Sequence, residues 1–396
     1  MHSILRNKLL VITYILTILY SLHFAIPLYA TSSFLHMYFN SAYVSGLFVI
    51  SSIATLLASL TIAKSIKRFH TYGFTFFLVI GEIISTILFA ITDNLFIIGI
   101  FFIIHFVLQS FLFICLNIFI ESFSKQAQTG SIRGLFLVLL SMGYLISPLL
   151  GGVILANTSF KVLYIVASLV LVPFLYFMHK YLSHIKEPAY TGVDVFTALR
   201  TIVNNKNLRA VFISQLSVES FNTVMIIYTP LYLTTIGIPL TTYLSYIIPI
   251  SLVPLVLLPY EMGFLVDNRH GEKNIMVSGL LTMIVATFLC VIVSSSDPRI
   301  WTLLFLVARI GTSLTETMAY TYFFKKIGAE DASHTALFMN IRGVSIILVG
   351  SLGFVFAPLL AERPQLMFII LGMIILWGVS NAIGIKTLHS SNHVHS

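Results

Sequence analysis

Six ionisable side chains sit well inside apolar runs of this chain: His23, Glu82, His105, Glu219, Arg309 and Glu316. A charge there is costly and marks a bundle interior or a cavity. Spacing groups these residues further. Gln215, Glu219 and Asn222 fall at i, i+4 and i+7, so they share one helix face. Arg309 and Glu316 are two helical turns apart and share another, as do His105 and Gln109. Thr13, Thr17 and Tyr20 align ahead of His23. The chemistry open to such a set is proton binding. Burial disfavours an ionised carboxyl and a nearby guanidinium favours it, so Glu219 and Glu316 with Arg309 can be switched by conformation or by a ligand. A structural ion pair between Arg309 and one glutamate is the alternative. His23 and His105 join the candidate cavity set, although hydrogen-bonded core histidines are commoner than proton carriers. Glu82 is expected to pack or snorkel. No metal set has helical spacing, and His389, His393 and His395 read as a polar tail.

The elements that must position these residues are membrane spans. Apolar residues make up 58% of the chain and charged residues 9%, against about 25% charged in soluble domains. A water-soluble protein of 396 residues could not cover its surface with so few charges. A span needs about 20 apolar residues. Twelve are expected, at 9–31, 42–63, 73–92, 95–121, 134–156, 160–181, 208–235, 242–265, 274–295, 300–324, 335–360 and 365–387. Prolines interrupt them at Pro27, Pro148, Pro249, Pro254 and Pro358. The first run is too long for a signal-peptide core and lacks a small-residue cleavage site after it. Cys115 and Cys290 lie inside apolar runs and indicate no disulfide or metal framework.

With twelve spans both termini share one side. The other side carries only Lys161, Arg299 and Arg363, and Arg309 is within a span; every remaining Lys and Arg, Arg342 among them, falls on the side of the termini. The positive-inside rule makes that side cytoplasmic and the protein a multi-pass component of the cell (inner) membrane. The net charge of +8 is thus a topology signal, with no reason to invoke nucleic acid. The longest loop, 182–207, separates an N-terminal half (1–181) from a C-terminal half (208–396) with a short polar tail. Within it Val195, Leu199 and Ile202 have helical spacing, expected to lie on the membrane surface.

The halves repeat. Ile132-Arg133-Gly134 is followed by Gly143 and Pro148-Leu149-Leu150; Ile341-Arg342-Gly343 is followed at closely matched distances by Gly353 and Pro358-Leu359-Leu360. In the first copy Gly143, Ser147 and Gly151 are four apart and line a flat face that another helix can approach. With Gly134, Pro148 and Gly152 this spacing resembles the antiporter motif on the fifth helix of major facilitator superfamily exporters, Ser147 standing where the motif has Gly. The segment Gly263-FLV-Asp267-N-Arg269-H-Gly271-E-Lys273 resembles that superfamily's loop between spans eight and nine. Residues 59–73, the equivalent in the first half, depart from it, with three basic residues and no Asp.

The resemblance implies an all-α fold of twelve transmembrane helices in two pseudo-symmetric six-helix halves, with spans one, four, seven and ten lining a central cavity. It implies a secondary active transporter: a small-molecule substrate, protons as coupling ion, the lipid bilayer as environment, and no cofactor. Proton-coupled efflux of an amphipathic or drug-like compound is the favoured reading. Thirty-three Phe and 18 Tyr allow an aromatic cavity wall. A sugar or metabolite symporter of the same superfamily is the nearer alternative, and a non-transporting membrane receptor or assembly protein the more distant one. Further expectations concern the motifs. Gly143 and Gly151 should touch a partner helix, expected in the other half. Gly271 should serve a tight turn, and Asp267 should meet Arg133 and the start of span five as a gate. The acidic residue on span one and the Arg on span four that such exporters often carry are absent. No Gly-rich phosphate loop is present, which disfavours ATP-driven transport, and no enzyme constellation survives inspection.

Overall fold

The computed structural model of the chain describes residues 8–123, 129–183, 195–268, 271–326, 334, 337–338 and 340–385. Of these, the side chains at 60, 63, 121, 123, 129–134, 137, 195–198, 260–261, 263–268 and 324–325 are outside the description. In a bilayer every backbone N–H and C=O must find a partner within the protein, and the described residues answer that demand with helices alone. Buried hydroxyls follow the same rule by bonding back one turn, as Thr17 does to the Thr13 carbonyl at 2.8 Å and Thr75 to Thr71 at 2.6 Å.

Twelve membrane helices result. The first half contains α1 (Lys8–Leu28, resumed at Thr31–His36), α2 and α3 (together Ser41–Ile91), α4 (Leu95–Phe123), α5 (Thr129–Asn157) and α6 (Phe160–Leu182). The second contains α7 (Lys206–Ile227, resumed at Thr229–Thr235), α8 (a segment from Leu240 ending in Ile248–Asn268), α9 (Glu272–Ile292), α10 (Pro298–Lys326), α11 (Ile341–Val355 with Ala357–Glu362) and α12 (Leu366–Ala382). Nine have both the length and the apolarity of a span among the described residues. The others are α10, which carries Arg309 and Glu316, and the shorter α11 and α12.

The expected gap between spans two and three is a single residue. Ser41–Ile91 runs on as helix except at His70, with φ 60° and ψ 160°. An L-residue rarely takes that conformation, so the turn here is made without the loop motif that residues 59–73 lack. Of the expected prolines, Pro27 and Pro358 sit beside breaks, whereas helix runs on through Pro148 in α5 and through Pro249 and Pro254 in α8. After Pro27 helix α1 breaks, and the Pro27 carbonyl takes the Ala30 N–H at 2.9 Å and the Thr31 hydroxyl at 2.9 Å. Helix α11 breaks at Phe356 just before Pro358, and α8 opens with a π turn over Tyr243–Ile247 ahead of Pro249 and Pro254.

Within the first half α1 packs on α4, α5 and α6; within the second α7 packs on α10, α11 and α12. The halves meet along two seams, α2 against α11 and α5 against α8. The linker helix Val195–Asn204 lies against the start of α7, with Ile202 buried and Leu199 exposed. At the face opposite the termini, here the far face, the halves are joined directly. Ser32 donates to the Ile226 carbonyl at 3.1 Å, Tyr228 donates to Ser45 at 2.8 Å, and the rings of Tyr29 and Tyr243 meet edge to face at 6.3 Å. On the same face Lys161 reaches Asp93 at 3.3 Å, and Tyr38 donates to Asp93 at 3.0 Å. The Tyr38 hydroxyl and then Lys161 hold the Asp93 carboxyl below its usual range. Exposed Leu57, Phe77, Ile84, Val285, Leu303 and Met373 face outward as lipid contacts.

Candidate functional site

Helices α7 and α10 run antiparallel at the centre of the second half, and α7 is the most buried of the nine helices with both the length and the apolarity of a span. Gln215 and Asn222 on α7, and Arg309 and Glu316 on α10, are each seven residues apart. Antiparallel packing therefore sets Arg309 level with Asn222, and Glu316 level with Gln215. Glu219 lies between the rungs. The Arg309 guanidinium donates from Nη1 to Asn222 Oδ1. Asn222 Nδ2 donates to Glu219 Oε2 at 3.5 Å, and Gln215 Nε2 donates to Glu219 Oε1 at 3.3 Å. The Gln215 amide also faces Glu316, and both Glu219 and Arg309 act on Glu316 electrostatically. The result is one polar chain: Arg309, Asn222, Glu219, Gln215, Glu316.

The alternative of a direct ion pair for Arg309 is not what the side chains make. Among the described residues no carboxylate lies within ion-pair distance of its nitrogens; Asn222 stands between. Arg309 is 2% exposed, stacks 5.2 Å above the Phe221 ring, and leaves Nε and Nη2 without a protein partner. Close packing fixes α10 in place. Gly279 of α9 and Gly311 of α10 face each other, and a Cβ on Gly279 would lie 2.7 Å from the Gly311 carbonyl oxygen.

Aromatic side chains of the first half form the opposite wall. Tyr20 donates to the Gln109 carbonyl at 3.1 Å and stacks on Phe24 and Phe113 at 6.0 and 5.9 Å; Phe24 meets Tyr144 edge to face at 5.6 Å. Gln109 itself is buried. Between the walls stands Arg342, assigned from the sequence to the charges on the side of the termini. It occupies the first turn of α11, lies 5.1 Å over Phe24, hydrogen-bonds Tyr144, and acts on Glu219 and Tyr20 electrostatically. The I-R-G that opens each repeat looks like a loop end. The apolar helix that follows tilts Arg342 into the interior instead. Glu219, Asn222, Glu316, Tyr144 and Phe24, and Arg342 at the start of α11, are all partly exposed, so the two walls do not close fully on each other. Two hollows of about 370 and 510 Å³ open on the far face, lined by Tyr232 and Glu362 and by Phe34 and Lys161; neither includes a residue of this network.

His23 and His105 are placed elsewhere. Both turn into the core of the first half and meet Glu82 of α3, which is fully buried. His23 Nε2 lies 2.9 Å and His105 Nδ1 2.6 Å from the same oxygen, Glu82 Oε1. The packing or snorkelling role expected of Glu82 is thus replaced by the centre of a buried triad. Helix phase alone could not show this, because the three residues come from three helices.

The model of the Major Facilitator Superfamily matches residues 13–351. The chain belongs to that superfamily. Its fold agrees with solved structures. A bacterial homolog of the human lysosomal transporter Spinster, inward-facing and occupied, superposes with a TM-score of 0.70 at 13% identity, covering 96% of this chain and 93% of that one. A variant of the nucleoside transporter NupG gives 0.74 at 15% identity, covering 95% and 99%. A search of curated proteins finds no match for the sequence. Superfamily membership makes the chain a membrane transporter rather than an enzyme.

In this superfamily transporter the small-residue face of α5 packs within its own half, which corrects the expected partner. A Cβ on Gly143 would overlap Ser21 of α1, and one on Gly151 would lie 2.8 Å from the Ile26 carbonyl oxygen, also on α1. Ser147 is buried on the same stripe, and Pro148 beside it is buried too. Gly152, one residue round the helix, is the position that faces the other half: a Cβ there would lie 2.9 Å from the Ser245 Cβ on α8. Gly152→Leu is therefore expected to wedge the α5–α8 seam and oppose far-face closure by about 1–3 kcal/mol. Crosslinking between Ser32→Cys and Ile226→Cys should fall accordingly; unchanged crosslinking would show that the seam has room. Of the expected gate, the side chains of Arg133, Gly263, Asp267 and Arg269 lie outside the described residues, as does that position of the α5 motif held by Gly134. Gly271 has φ −64° and ψ 146°, open to any residue, and its carbonyl takes the Asn274 N–H at 3.1 Å; residues 269 and 270, which precede it in the expected turn, lie outside the described residues. Lys273 is in the first turn of α9 and half-buried.

Proposed function

We propose that the chain is a proton-coupled secondary exporter of amphipathic compounds, working across a cell membrane with both termini cytoplasmic. The observation that carries this reading is the pair of carboxylates, Glu219 and Glu316, set about the Gln215 amide, which donates to Glu219. A proton taken up between two like charges set this close removes their repulsion. A substrate that approaches Arg342 or Arg309 changes the electrostatic balance of that pair, so proton and substrate compete for it. Tyr20, Phe24 and Tyr144 offer an apolar body its contact surface, and Arg342 offers the polar end a donor fork.

The far-face contacts are the sealed side of an alternating-access cycle, in which α2–α11 and α5–α8 rock open as the opposite side closes. The α5 motif favours export. A nucleoside or other polar metabolite moved by symport is the second reading, favoured by the amides Gln215 and Asn222 and by the likeness to the NupG fold.

The test is purified protein in proteoliposomes carrying a pH gradient, with ethidium and uridine as separate probes. Ethidium should move against its gradient, accompanied by counter-movement of protons read by a trapped pH dye. Uridine uptake driven by an inward proton gradient, or ethidium flux indifferent to pH, would overturn the exporter reading.

A further inference from the structure

We propose that His23, Glu82 and His105 form a second proton-binding site, inside the N-terminal half, whose bound proton fastens α1 to both α3 and α6. It is separate from the central carboxylate pair and stands whatever that pair does.

Counting donors leads to it. His23 Nδ1 lies 2.9 Å from the Ala167 carbonyl oxygen of α6. A carbonyl only accepts, so Nδ1 carries hydrogen. His23 Nε2 lies 2.9 Å from Glu82 Oε1. In a neutral ring only one nitrogen is protonated, and an ionised carboxylate only accepts. Nδ1–H with a bare Nε2 would set two lone pairs against each other. The contact therefore holds one proton, either as an imidazolium facing a carboxylate or as a neutral ring facing a carboxylic acid. Both have the same proton count, one more than a carboxylate beside a neutral ring.

The rest of the shell is satisfied. His105 Nδ1 contacts Glu82 Oε1 and Thr86 Oγ1, the latter at 3.0 Å; Thr86 donates to Oε1 at 3.3 Å and Ser85 to Oε2 at 3.4 Å. The titratable groups facing Glu82 are His23 and Tyr20 from α1 and His105 from α4; α6 presents the Ala167 carbonyl. Glu82 and His23 are sealed from solvent, so neither is a surface pair.

A bound metal fits less well than a proton. The nitrogen–oxygen separations of 2.6 and 2.9 Å are hydrogen-bond lengths. Ligands about 2.1 Å from one tetrahedral ion stand roughly 3.4 Å apart.

The site is mechanical as well as electrostatic. When the proton leaves, His23 has one N–H for two acceptors and must release either α3 or α6. Helix α1 carries Tyr20 and Phe24 of the cleft wall, and Ser21 against Gly143. Loss of the proton therefore loosens the helix that forms that wall.

The experiment is NMR on the full chain in lipid nanodiscs with ¹⁵N-histidine, titrated from about pH 5 to 9. His23→Gln and His105→Gln identify the two rings, and no transport substrate is needed, so failure here is distinguishable from failure of the exporter reading. The wild type should show a strongly downfield, exchange-protected proton correlated with the His23 ring, with Nδ1 protonated. Glu82→Gln should remove it while Nδ1 stays protonated. Should Glu82→Gln fail to fold, the same proton must still be present in the wild type and missing in His23→Gln. The proposal is overturned if no such proton exists at any pH in that range. It is also overturned if the wild type binds one equivalent of Zn²⁺ or Mn²⁺ that Glu82→Gln does not.

Discussion

Glu316→Gln is expected to abolish pH-driven accumulation of ethidium in proteoliposomes while leaving dye exchange, at equal pH on both sides, within about twofold of wild type. The loss follows from the ladder between α7 and α10. A glutamine fills the same volume and can still meet Gln215, but it cannot take up and release a proton. Exchange needs only that substrate bind and the halves reorient; net movement against a gradient needs proton turnover. A coupling free energy of about 1–3 kcal/mol corresponds to roughly 5–150-fold in driven accumulation, so the effect is well outside assay scatter. Glu219→Gln should behave differently. Glu219 accepts from both Gln215 and Asn222, and Asn222 in turn holds Arg309. Glutamine has one acceptor oxygen where the carboxylate has two, so one of those donors is stranded in a buried site. Exchange should fall together with accumulation. Equal behaviour of the two variants would show that the carboxylates are interchangeable and that the ladder has no direction.

The polar chain was legible in part because its members pair along single helices. Helical phase groups Gln215 with Glu219 and Asn222, and Arg309 with Glu316, and the antiparallel arrangement follows once the spans are counted. Phase does not show which neighbour a face meets. That is why Gly143 and Gly151 were expected against the other half and instead press on α1, while Gly152 takes the seam with α8. The same limit hid the triad. His23, Glu82 and His105 come from α1, α3 and α4, and nothing within any one helix links them. Arg342 was lost to a different cause. Counting bases by side of the membrane sorts residues by their position along a span, and a guanidinium on a long stem at a helix start can point either to headgroups or inward. Here Tyr144 and Phe24 draw it inward. The single-residue turn at His70 escaped because strong helix patterning on both sides of it gives no sign of a positive φ.

Arg309→Leu is expected to be the most damaging single change in the second half, and Glu316→Gln in the same chain is expected to relieve much of it. Arg309 is a buried cation whose charge is balanced through Asn222 and across space by Glu219 and Glu316. Its removal leaves two carboxylates facing each other across one amide. Taking away one member of a fully buried ion pair costs about 3–5 kcal/mol; Glu219 and Glu316 are partly exposed, so the lower end of that range applies. Leucine lacks the guanidinium that lies over the Phe221 ring, so that contact is lost together with the charge. Arg309→Lys keeps the charge without the planar fork that serves Asn222 and stacks on Phe221, and it should recover stability better than transport. The double variant Arg309→Leu with Glu316→Gln removes one charge of each sign. Its denaturation midpoint in detergent should lie above that of Arg309→Leu alone, although each substitution by itself lowers stability. Contacting residues in one network depart from additivity by about 0.5–3 kcal/mol, whereas independent sites add within about 0.5 kcal/mol. Strict additivity of the two substitutions would show that Arg309 does not balance Glu316.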